Sequence, residues 1–279
     1  MKLTVLLDNN TLIDRYFLGE PGLSFLIEAD GKRILFDAGY SDAFLRNARK
    51  MAQDLTDLDT VVLSHGHLEH CWGLIHLVRL YTEKTFEGGK VQKPTLVAHP
   101  AALAPKSCGE LSEIGSLLGE DHLTRHFQLN LSREPVQLSR NLVYLGEIDR
   151  VHDFEARQPL GKTGQGNRKK DDYLWDDSAL AYRSSRGLVV ITGCSHAGIC
   201  NIVDQARRIT GVDRVVDIIG GFHLQDPSAD QLQGTLDYLQ QLQPESLHAC
   251  HCTDLGSKIA LAGAAELGEV GVGLKLDYG

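Results

Sequence analysis

Four potential metal ligands follow an apolar run within six positions of the sequence. They are His65, His67, Glu69 and His70, and the apolar residues 61–63 precede them. Imidazole and carboxylate groups bind borderline divalent cations such as zinc without redox chemistry. A hydrophobic core has no need of so many polar groups directly after a buried strand. The cluster therefore predicts a metal site, and a metal site of this composition favours metal-assisted hydrolysis.

The spacing within the cluster predicts how its side chains divide. His65 and His67 are two residues apart, so an extended backbone directs both to one side, where they can chelate one cation. Glu69 and His70 begin the following helix and point in another direction, which suits a second cation alongside. Two cations about 3.5–4 Å apart would hold a bridging hydroxide and stabilise charge on an attacked carbonyl or phosphoryl centre. A single-metal site is the alternative.

Potential ligands follow predicted strands at five places in the chain. These places are Asp37, the cluster from His65 to His70, Cys194 with His196, His223, and His251. A lone histidine after a strand is more often a hydrogen-bonded structural residue than a ligand, but five such strand ends argue for a common site. Residues 61–67 and 189–196 share one pattern of buried strand, ligand-rich turn and helix. A duplicated unit of this kind would bring both turns to the same edge of a two-sheet core.

Several other polar residues have two interpretations. Cys250 is expected to pack within a strand, whereas Cys252 is either a metal thiolate or a packed side chain. Asp8 and Asn9 either line the rim of the site or form an ordinary turn at the end of a strand. The histidines outside the strand-end clusters are expected to be structural or surface residues; they are His76, His99, His122, His126, His152 and His248.

The composition limits the classes of function. The chain has 279 residues, 42% hydrophobic and 23% charged, and a net charge of −9. This length permits one large globular domain or two small ones, and the similar motifs in the two halves favour a single domain over residues 1–279. The negative charge argues against binding to nucleic acid or to an anionic membrane. No apolar stretch reaches the ~18 residues of a membrane span, and the N-terminus does not resemble a signal peptide. Six cysteines without a disulfide-like spacing favour a reduced, cytoplasmic protein. The sequence does not determine the oligomeric state.

The periodicity and turn residues predict alternating strands and helices. The turn at Asp30-Gly31 between two apolar runs predicts a β-hairpin, and helices are expected near residues 41–53, 73–84, 199–209, 228–242 and 256–267. Residues 155–175 are polar, charged and rich in glycine, which predicts a mobile surface loop that could act as a lid. A linker between two domains is the alternative for this segment.

At the level of motifs, the chain resembles the metallo-β-lactamase superfamily. Residues 65–70 (His-Gly-His-Leu-Glu-His) are similar to the family motif His-x-His-x-Asp-His, and Asp37 before Ala38-Gly39 resembles an upstream aspartate that supports the site. Four further segments resemble one branch of this family, named for 7,8-dihydropterin-6-methyl-4-(β-D-ribofuranosyl)-aminobenzene-5′-phosphate synthase. They are residues 8–10, 193–198, 220–223 and 251–253. The resemblance covers nearly the whole chain.

The resemblance implies an α/β fold, a four-layer αββα sandwich, with a divalent metal at one sheet edge. It implies two zinc ions, with manganese or iron as alternatives, and its implied ligands are His65, His67, Glu69, His70, His196 and His251. His223 falls near the position of a metal-bridging aspartate, and Cys194 is left open between ligand and packing. Glu69 departs from the family aspartate and carries its carboxylate about 1.5 Å further, and Trp72 stands where small residues are usual.

These observations together predict a metal-dependent hydrolase that uses a metal-held hydroxide on a small phosphoester, lactone or related ester. Three residues have expected catalytic roles: Glu69 orients the hydroxide, His223 or alternatively Asp8 donates a proton, and Asp37 supports the site. One alternative is a synthase or transferase acting on a pterin or ribosyl phosphate. Another is a metal-bound binding or redox-sensing module without turnover.

Overall fold

The structure is a computed structural model that describes residues 1–164 and 166–279. The first half of the chain contains β1 (Lys2–Leu7), β2 (Ser24–Ala29), β3 (Lys32–Phe36), α1 (Ala43–Lys50), β4 (Thr60–Val62), α2 (Leu68–Cys71), α3 (Leu74–Phe86), β5 (Thr95–Ala98), β6 (Lys106–Ser107), α4 (Glu120–His126), β7 (Gln128–Leu131), β8 (Val136–Gln137) and β9 (Leu142–Tyr144). The second half contains β10 (Lys162–Thr163), β11 (Lys170–Asp171), β12 (Ala179–Arg183), β13 (Leu188–Thr192), α5 (Ile199–Thr210), β14 (Val215–Gly221), α6 (Ala229–Leu242), β15 (Ser246–Cys250), α7 (Leu255–Leu261) and β16 (Lys275–Asp277). Short 3₁₀ helices lie at Pro100–Leu103 and Gly166–Arg168.

Two large mixed sheets form the centre of the fold. The first has the strand order β16-β1-β2-β3-β4-β5-β7, and the second has the order β15-β14-β13-β12-β9-β8. In the first sheet, β3, β4, β5 and β7 are parallel neighbours. In the second, β13, β14 and β15 are parallel. Each sheet thus combines antiparallel hairpins with a parallel part that is connected through helices.

The side chains of the two sheets divide among three apolar clusters. Phe25 of β2 and Ile191 of β13 belong to a core shared by both sheets. Leu26, which points the opposite way, packs with α1 and α3 outside the first sheet, and Val190 packs with α5 and α6 outside the second. Because successive strand residues face opposite sides, this division defines the layers helix, sheet, sheet, helix. The predicted four-layer αββα sandwich is confirmed.

The hairpin predicted at Asp30-Gly31 is also confirmed. Strands β2 and β3 pair from Phe25 with Phe36 to Ala29 with Lys32. The two turn residues, Asp30 and Gly31, have φ angles of 51° and 78°, as a two-residue hairpin turn of the primed type requires.

The predicted helix over residues 256–267 is too long, because α7 ends at Leu261. The chain then returns to the edge of the second sheet, where the N–H of Leu247 donates to the carbonyl of Glu266 over 2.7 Å and the N–H of Gly268 donates to the carbonyl of Leu247 over 2.8 Å. These hydrogen bonds need an extended backbone, so pairing with β15 prevents the helix from continuing.

The segment 155–175, predicted as a mobile loop, contains regular structure. Strands β10 and β11 form a three-stranded sheet with β6, in which Lys162 pairs with Ser107 and Thr163 with Lys106. The movement of this segment stays a prediction, and residue 165 within it lies outside the described residues. In the part of the chain that the structure describes, no helix is both long and apolar enough to span a bilayer.

Candidate metal centre

The predicted ligand turns follow parallel strands. His65 comes after β4, His196 after β13, His223 after β14 and His251 after β15. Parallel neighbours end at the same edge of a sheet, where side chains from several loops meet. The rings of His65 and His196 have centroids only 4.8 Å apart, which confirms that the two ligand-rich turns meet at one edge of the two-sheet core.

Three imidazoles, which we call the histidine trio, converge at this edge: His65, His67 and His196. Their ring centroids are 4.7 to 4.9 Å apart, and at most 8% of each residue is exposed. Among the described residues, none offers a hydrogen-bond partner to any of the three Nε2 atoms. A buried polar nitrogen without a partner is costly, and three together fit a divalent cation.

The charge state of the histidine trio also fits a cation. Burial lowers the pKa of His65 and His196 well below the ordinary value of 6.5, and lowers that of His67 to about 4. The imidazoles are therefore neutral at pH 7, and each has a lone pair available. Neutral imidazole is the form that binds metals.

A second cluster adjoins the histidine trio and contains Glu69, His70, Cys194, His251 and Cys252. Ligand atoms of His65, Glu69, His70 and Cys194 lie within 4.8 Å of one another, as do those of Cys194, His251 and Cys252. The Nε2 atom of His70 is 3.2 Å from the Cys194 sulfur and 3.9 Å from Oε1 of Glu69. All six metal ligands predicted from the sequence therefore lie in one neighbourhood.

Asp37 supports the second cluster from the side away from the pocket, through His70. Its buried carboxylate accepts hydrogen bonds from the backbone N–H and the hydroxyl of Ser64, both 2.7 Å long, and lies 2.6 Å from Nδ1 of His70. Burial opposes protonation of His70, but the Asp37 carboxylate, together with Glu69 and Cys252, outweighs burial and raises the pKa of this imidazole. Because Nδ1 faces Asp37, Nε2 is directed into the cluster. Asp37 is thus placed to orient His70 rather than to bind a cation itself.

Asp8 and Asn9, directly after β1, support His251. The backbone N–H of His251 donates to Oδ1 of Asp8 over 3.0 Å, and Nδ1 of its ring lies 2.9 Å from Oδ1 of Asn9. Asn9 lines the pocket over the centre, as one reading of the sequence expects. Asp8 is fully buried beneath it and does not line that pocket, so Asp8 is badly placed to donate a proton to a substrate.

His223 faces the same pocket. Its ring centroid is 4.3 Å from that of His196, and its Nδ1 atom is buried without a partner among the described residues. Burial alone would lower the pKa of His223, but the neighbouring Cys252 and Asp177 outweigh burial and raise it. His223 is therefore the better-placed candidate for a proton donor.

A pocket of about 610 Å³ opens over both clusters. Its walls combine the candidate ligands with apolar and amide side chains: Asn9, Pro21, Tyr40, His67, Leu68, Glu69, Leu160, Cys194, His196, His223, Gln225, His251 and Cys252. Trp72 does not line it but stacks behind Tyr40 with ring centroids 5.3 Å apart, so Trp72 packs rather than narrowing the cleft. Leu160 brings the 155–175 segment to the pocket edge. The volume suits a small organic molecule.

Sequence reasoning missed the acidic pair Asp176 and Asp177. Asp176 accepts 2.8 Å and 2.9 Å bonds from the N–H of Gly66 and from the buried ammonium of Lys106. Asp177 accepts a 2.8 Å bond from the N–H of Ala197, and burial raises its pKa to about 7. The pair therefore holds both ligand turns. The two aspartates stand just before the apolar strand β12, and this position is the sequence signal that could have indicated them.

Three histidines outside the strand-end clusters pair with carboxylates, as expected of structural residues. His99 lies 3.0 Å from Glu147, His152 lies 2.9 Å from Asp204, and His248 lies 2.9 Å from Asp217.

The sandwich and its histidine centre define a class of protein, and sequence comparison identifies the same class. The chain belongs to the metallo-β-lactamase superfamily, whose sequence profile matches residues 18–99. It is 31% identical over 247 residues to 7,8-dihydropterin-6-methyl-4-(beta-D-ribofuranosyl)-aminobenzene-5'-phosphate synthase of Methanocaldococcus jannaschii, covering 85% of this chain and 82% of that protein. The branch predicted from the motifs is thus represented by a relative that spans most of both chains.

Solved structures agree with this assignment. Tm1679, a metal-dependent hydrolase of the beta-lactamase superfamily, matches with a TM-score of 0.83 and 28% identity, covering 99% of this chain and 98% of its own. Zn²⁺-bound PqqB from Methylobacterium extorquens matches with a TM-score of 0.56 and 13% identity over 99% of this chain and 100% of its own, which shows a shared fold. The protein has the metal-dependent hydrolase fold of a superfamily whose members are generally enzymes that bind divalent metals.

Proposed function

We propose that the protein is a metal-dependent enzyme that hydrolyses a small phosphoester, lactone or related ester at the candidate metal centre. The observation that carries this proposal is the convergence of three buried Nε2 atoms, those of His65, His67 and His196, beside a pocket of about 610 Å³. None of the three has a hydrogen-bond partner within residues 1–164 and 166–279. A divalent cation bound there supplies Lewis acidity and an activated water.

The residues around the cation have separate tasks in this proposal. Glu69 lines the pocket, and its Oε1 lies 3.9 Å from Nδ1 of His67 and 3.9 Å from Nε2 of His70. This position, where the second cluster meets the histidine trio, suits a carboxylate that binds a cation and accepts a hydrogen bond from the attacking water. His223 then gives its proton to the leaving oxygen, and Asp37 keeps His70 oriented.

We propose two zinc ions as the cofactor, with manganese or iron as alternatives, because two adjoining ligand clusters share the pocket. The partner is a small-molecule substrate; the net charge of −9 disfavours nucleic acid and anionic membranes. All six cysteines are free thiols, which supports the proposal of a cytoplasmic location.

A second candidate function is a synthase or transferase acting on a pterin or ribosyl phosphate. The observation that favours it is the 31% identity to a synthase over 82% of that protein. A metal-bound binding or redox-sensing module is a third reading, which rests on the thiols of Cys194 and Cys252 beside the centre.

Purified protein loaded with Zn²⁺, Mn²⁺ or Fe²⁺ is assayed with bis-aryl phosphodiesters, phosphomonoesters and lactones, and with pterin and ribosyl phosphate substrates, to distinguish these functions. We expect turnover with at least one metal, and we expect His67→Ala to abolish it and to remove at least one metal equivalent by elemental analysis. The exposed His122→Ala serves as the control. Unchanged metal content in His67→Ala would overturn the ligand assignment. Metal-dependent ligand binding without turnover would favour the binding module, and activity confined to pterin or ribosyl phosphate substrates would favour the synthase.

A further inference from the structure

We infer that Cys194 and Cys252 make the second cation position a thiolate site, in which both sulfurs and His251 bind a zinc- or iron-type cation in preference to manganese or magnesium. This inference rests on the proposed function, since both require a cation at the centre. A thiolate site adds sulfur, a donor type that the histidine trio does not contain. It also gives a function to the thiols of Cys194 and Cys252, which have no role in the proposed hydrolysis.

The first support is distance. The sulfurs of Cys194 and Cys252 and a ring nitrogen of His251 all lie within 4.8 Å of one another. Donor atoms bound to one tetrahedral zinc are about 3.3–3.8 Å apart, given Zn–N of about 2.0 Å and Zn–S of about 2.3 Å. Small side-chain movements therefore bring the three atoms onto one cation. Nε2 of His70, 3.2 Å from the Cys194 sulfur, is the nearest candidate for a fourth donor.

The second support is the space left at the end of β14. Gly221 lies there, and a Cβ atom at this position would be 2.5 Å from the carbonyl oxygen of Gly193, 2.6 Å from the Cys252 sulfur and 3.3 Å from the Cα of Cys194. Any larger residue would collide with that carbonyl and displace the sulfur. The end of β14, which lies between β13 and β15, thus leaves room for the thiol of Cys252.

The third support is the contrast with the other cysteines. Cys71, Cys200 and Cys250 are buried in the three apolar clusters, which confirms the expectation that Cys250 packs. Cys194 and Cys252 instead line the pocket. A thiol that only fills space has no need to face a pocket beside histidines.

The hydrogen bonds of Cys252 are compatible with this role. Its sulfur donates to the carbonyl of Cys194 over 3.4 Å and accepts from the N–H of His223 over 3.3 Å. Cation binding replaces the S–H protons of both Cys194 and Cys252, which leave to solvent, while the bond from the backbone N–H of His223 stabilises the Cys252 thiolate. Thiolates are soft ligands that favour zinc and iron, whereas carboxylate and water suit manganese and magnesium.

Cobalt(II) absorption tests the inference on the full chain, purified reduced and under anaerobic conditions. Thiolate ligands produce an intense sulfur-to-cobalt charge-transfer band in the near ultraviolet, whereas imidazole and carboxylate produce only weak visible bands. We expect this band in the wild-type protein at the second cobalt equivalent. We expect Cys194→Ser and Cys252→Ser each to weaken it, the double variant to abolish it, and Cys108→Ser, outside both clusters, to retain it.

Competition between Zn²⁺ and Mn²⁺ gives a second readout. In the double variant, the ratio of Zn²⁺ affinity to Mn²⁺ affinity at the second equivalent should fall about tenfold or more, because the soft ligands are gone. Wild-type protein that binds two cobalt equivalents without the charge-transfer band would overturn the inference and leave the proposed function intact. Wild-type protein that binds no cobalt at all would overturn the proposed function as well. The wild-type spectrum decides the question even if a variant does not fold.

Discussion

The carboxylate of Asp37 lies 2.6 Å from Nδ1 of His70, and the opposite nitrogen of the same ring lies 3.2 Å from the Cys194 sulfur. One imidazole thus connects a fully buried carboxylate on the first sheet to a ligand turn on the second. A carboxylate behind a metal-ligating histidine sets the tautomer and orientation of the ring. The alignment of the second cluster therefore depends on a residue that does not face the pocket.

Replacing Asp37 by Asn should weaken metal binding without removing a ligand. The amide no longer holds His70 by a charge-assisted bond, so we expect metal affinity to fall about 10–100-fold. Titration against a competing chelator measures this change. Asp42→Asn is the matched control, because Asp42 is exposed and its side chain makes no capping bond to α1. Equal affinity in the Asp37 and Asp42 variants would contradict the orienting role.

Gly193→Ala should disrupt the contact between the two ligand turns. A Cβ atom at this position would lie 2.1 Å from the Ser64 hydroxyl oxygen and 3.0 Å from Oδ2 of Asp37. Neither neighbour can move without breaking buried hydrogen bonds. We expect a loss of about 1–3 kcal/mol in the free energy of unfolding, measured by urea denaturation, together with reduced metal content.

The control for this experiment is Gly119→Ala, since no atom lies within 4 Å of a Cβ there. If Gly193→Ala were as stable as Gly119→Ala, the two turns would not be closely packed in solution.

Asp176→Ala and Asp172→Ala should separate a structural effect from an effect on the metal centre. Both carboxylates pair with the buried ammonium of Lys106, over 2.9 Å and 2.8 Å respectively. Each variant should therefore lose on the order of 3 kcal/mol of unfolding free energy. Only Asp176 also accepts from the N–H of Gly66, between two members of the histidine trio. We expect only Asp176→Ala to weaken metal binding in a calorimetric titration, and a similar loss in both variants would refute this division.

Glu155 should make stability depend on pH. Its buried carboxyl group accepts 3.0 Å bonds from the N–H groups of Cys200 and Asn201 in the first turn of α5. Burial nevertheless raises its pKa above the ordinary 4.5. At pH values between 4.5, the pKa of this group in the unfolded chain, and the raised pKa in the folded protein, the unfolded chain has released a proton that the folded chain keeps. The contribution of Glu155 to the unfolding free energy therefore falls as pH rises through this window, and it is constant above the window.

Glu155→Gln removes this titration and leaves only a constant offset from the lost acceptor. We expect the stability of the variant relative to wild type to increase as pH rises from 4.5 toward neutrality, as measured by thermal denaturation at several pH values. Glu87→Gln, at an exposed position, should show no such trend. A relative stability that decreases with pH would mean that the helix N–H groups outweigh burial.

Local sequence patterns predicted where most of the candidate ligands lie. A buried strand followed by polar residues is a short-range signal, and the two-residue spacing of His65 and His67 directs both side chains to one side whatever the rest of the fold does. The hairpin at Asp30 and Gly31 was predictable for the same reason, since two adjacent residues determine the turn.

Partners that are distant in the chain were beyond this reasoning. Asp176 is 110 positions from Gly66 and 70 from Lys106, and no local pattern connects them. The end of α7 was also mispredicted, because pairing of Glu266 and Gly268 with β15 overrides a sequence that favours helix.

The sequence by itself determined which residue types follow each strand, and hence that imidazoles, a carboxylate and thiols are available at several strand ends. Only the tertiary structure decided that these strand ends share one pocket, which of Asp8, Asp37 and His223 faces it, and that Asp176 and Asp177 support it from behind. The physical reason is that side-chain direction along a strand is a property of the local backbone, whereas burial and hydrogen-bond partners depend on how two sheets pack against each other.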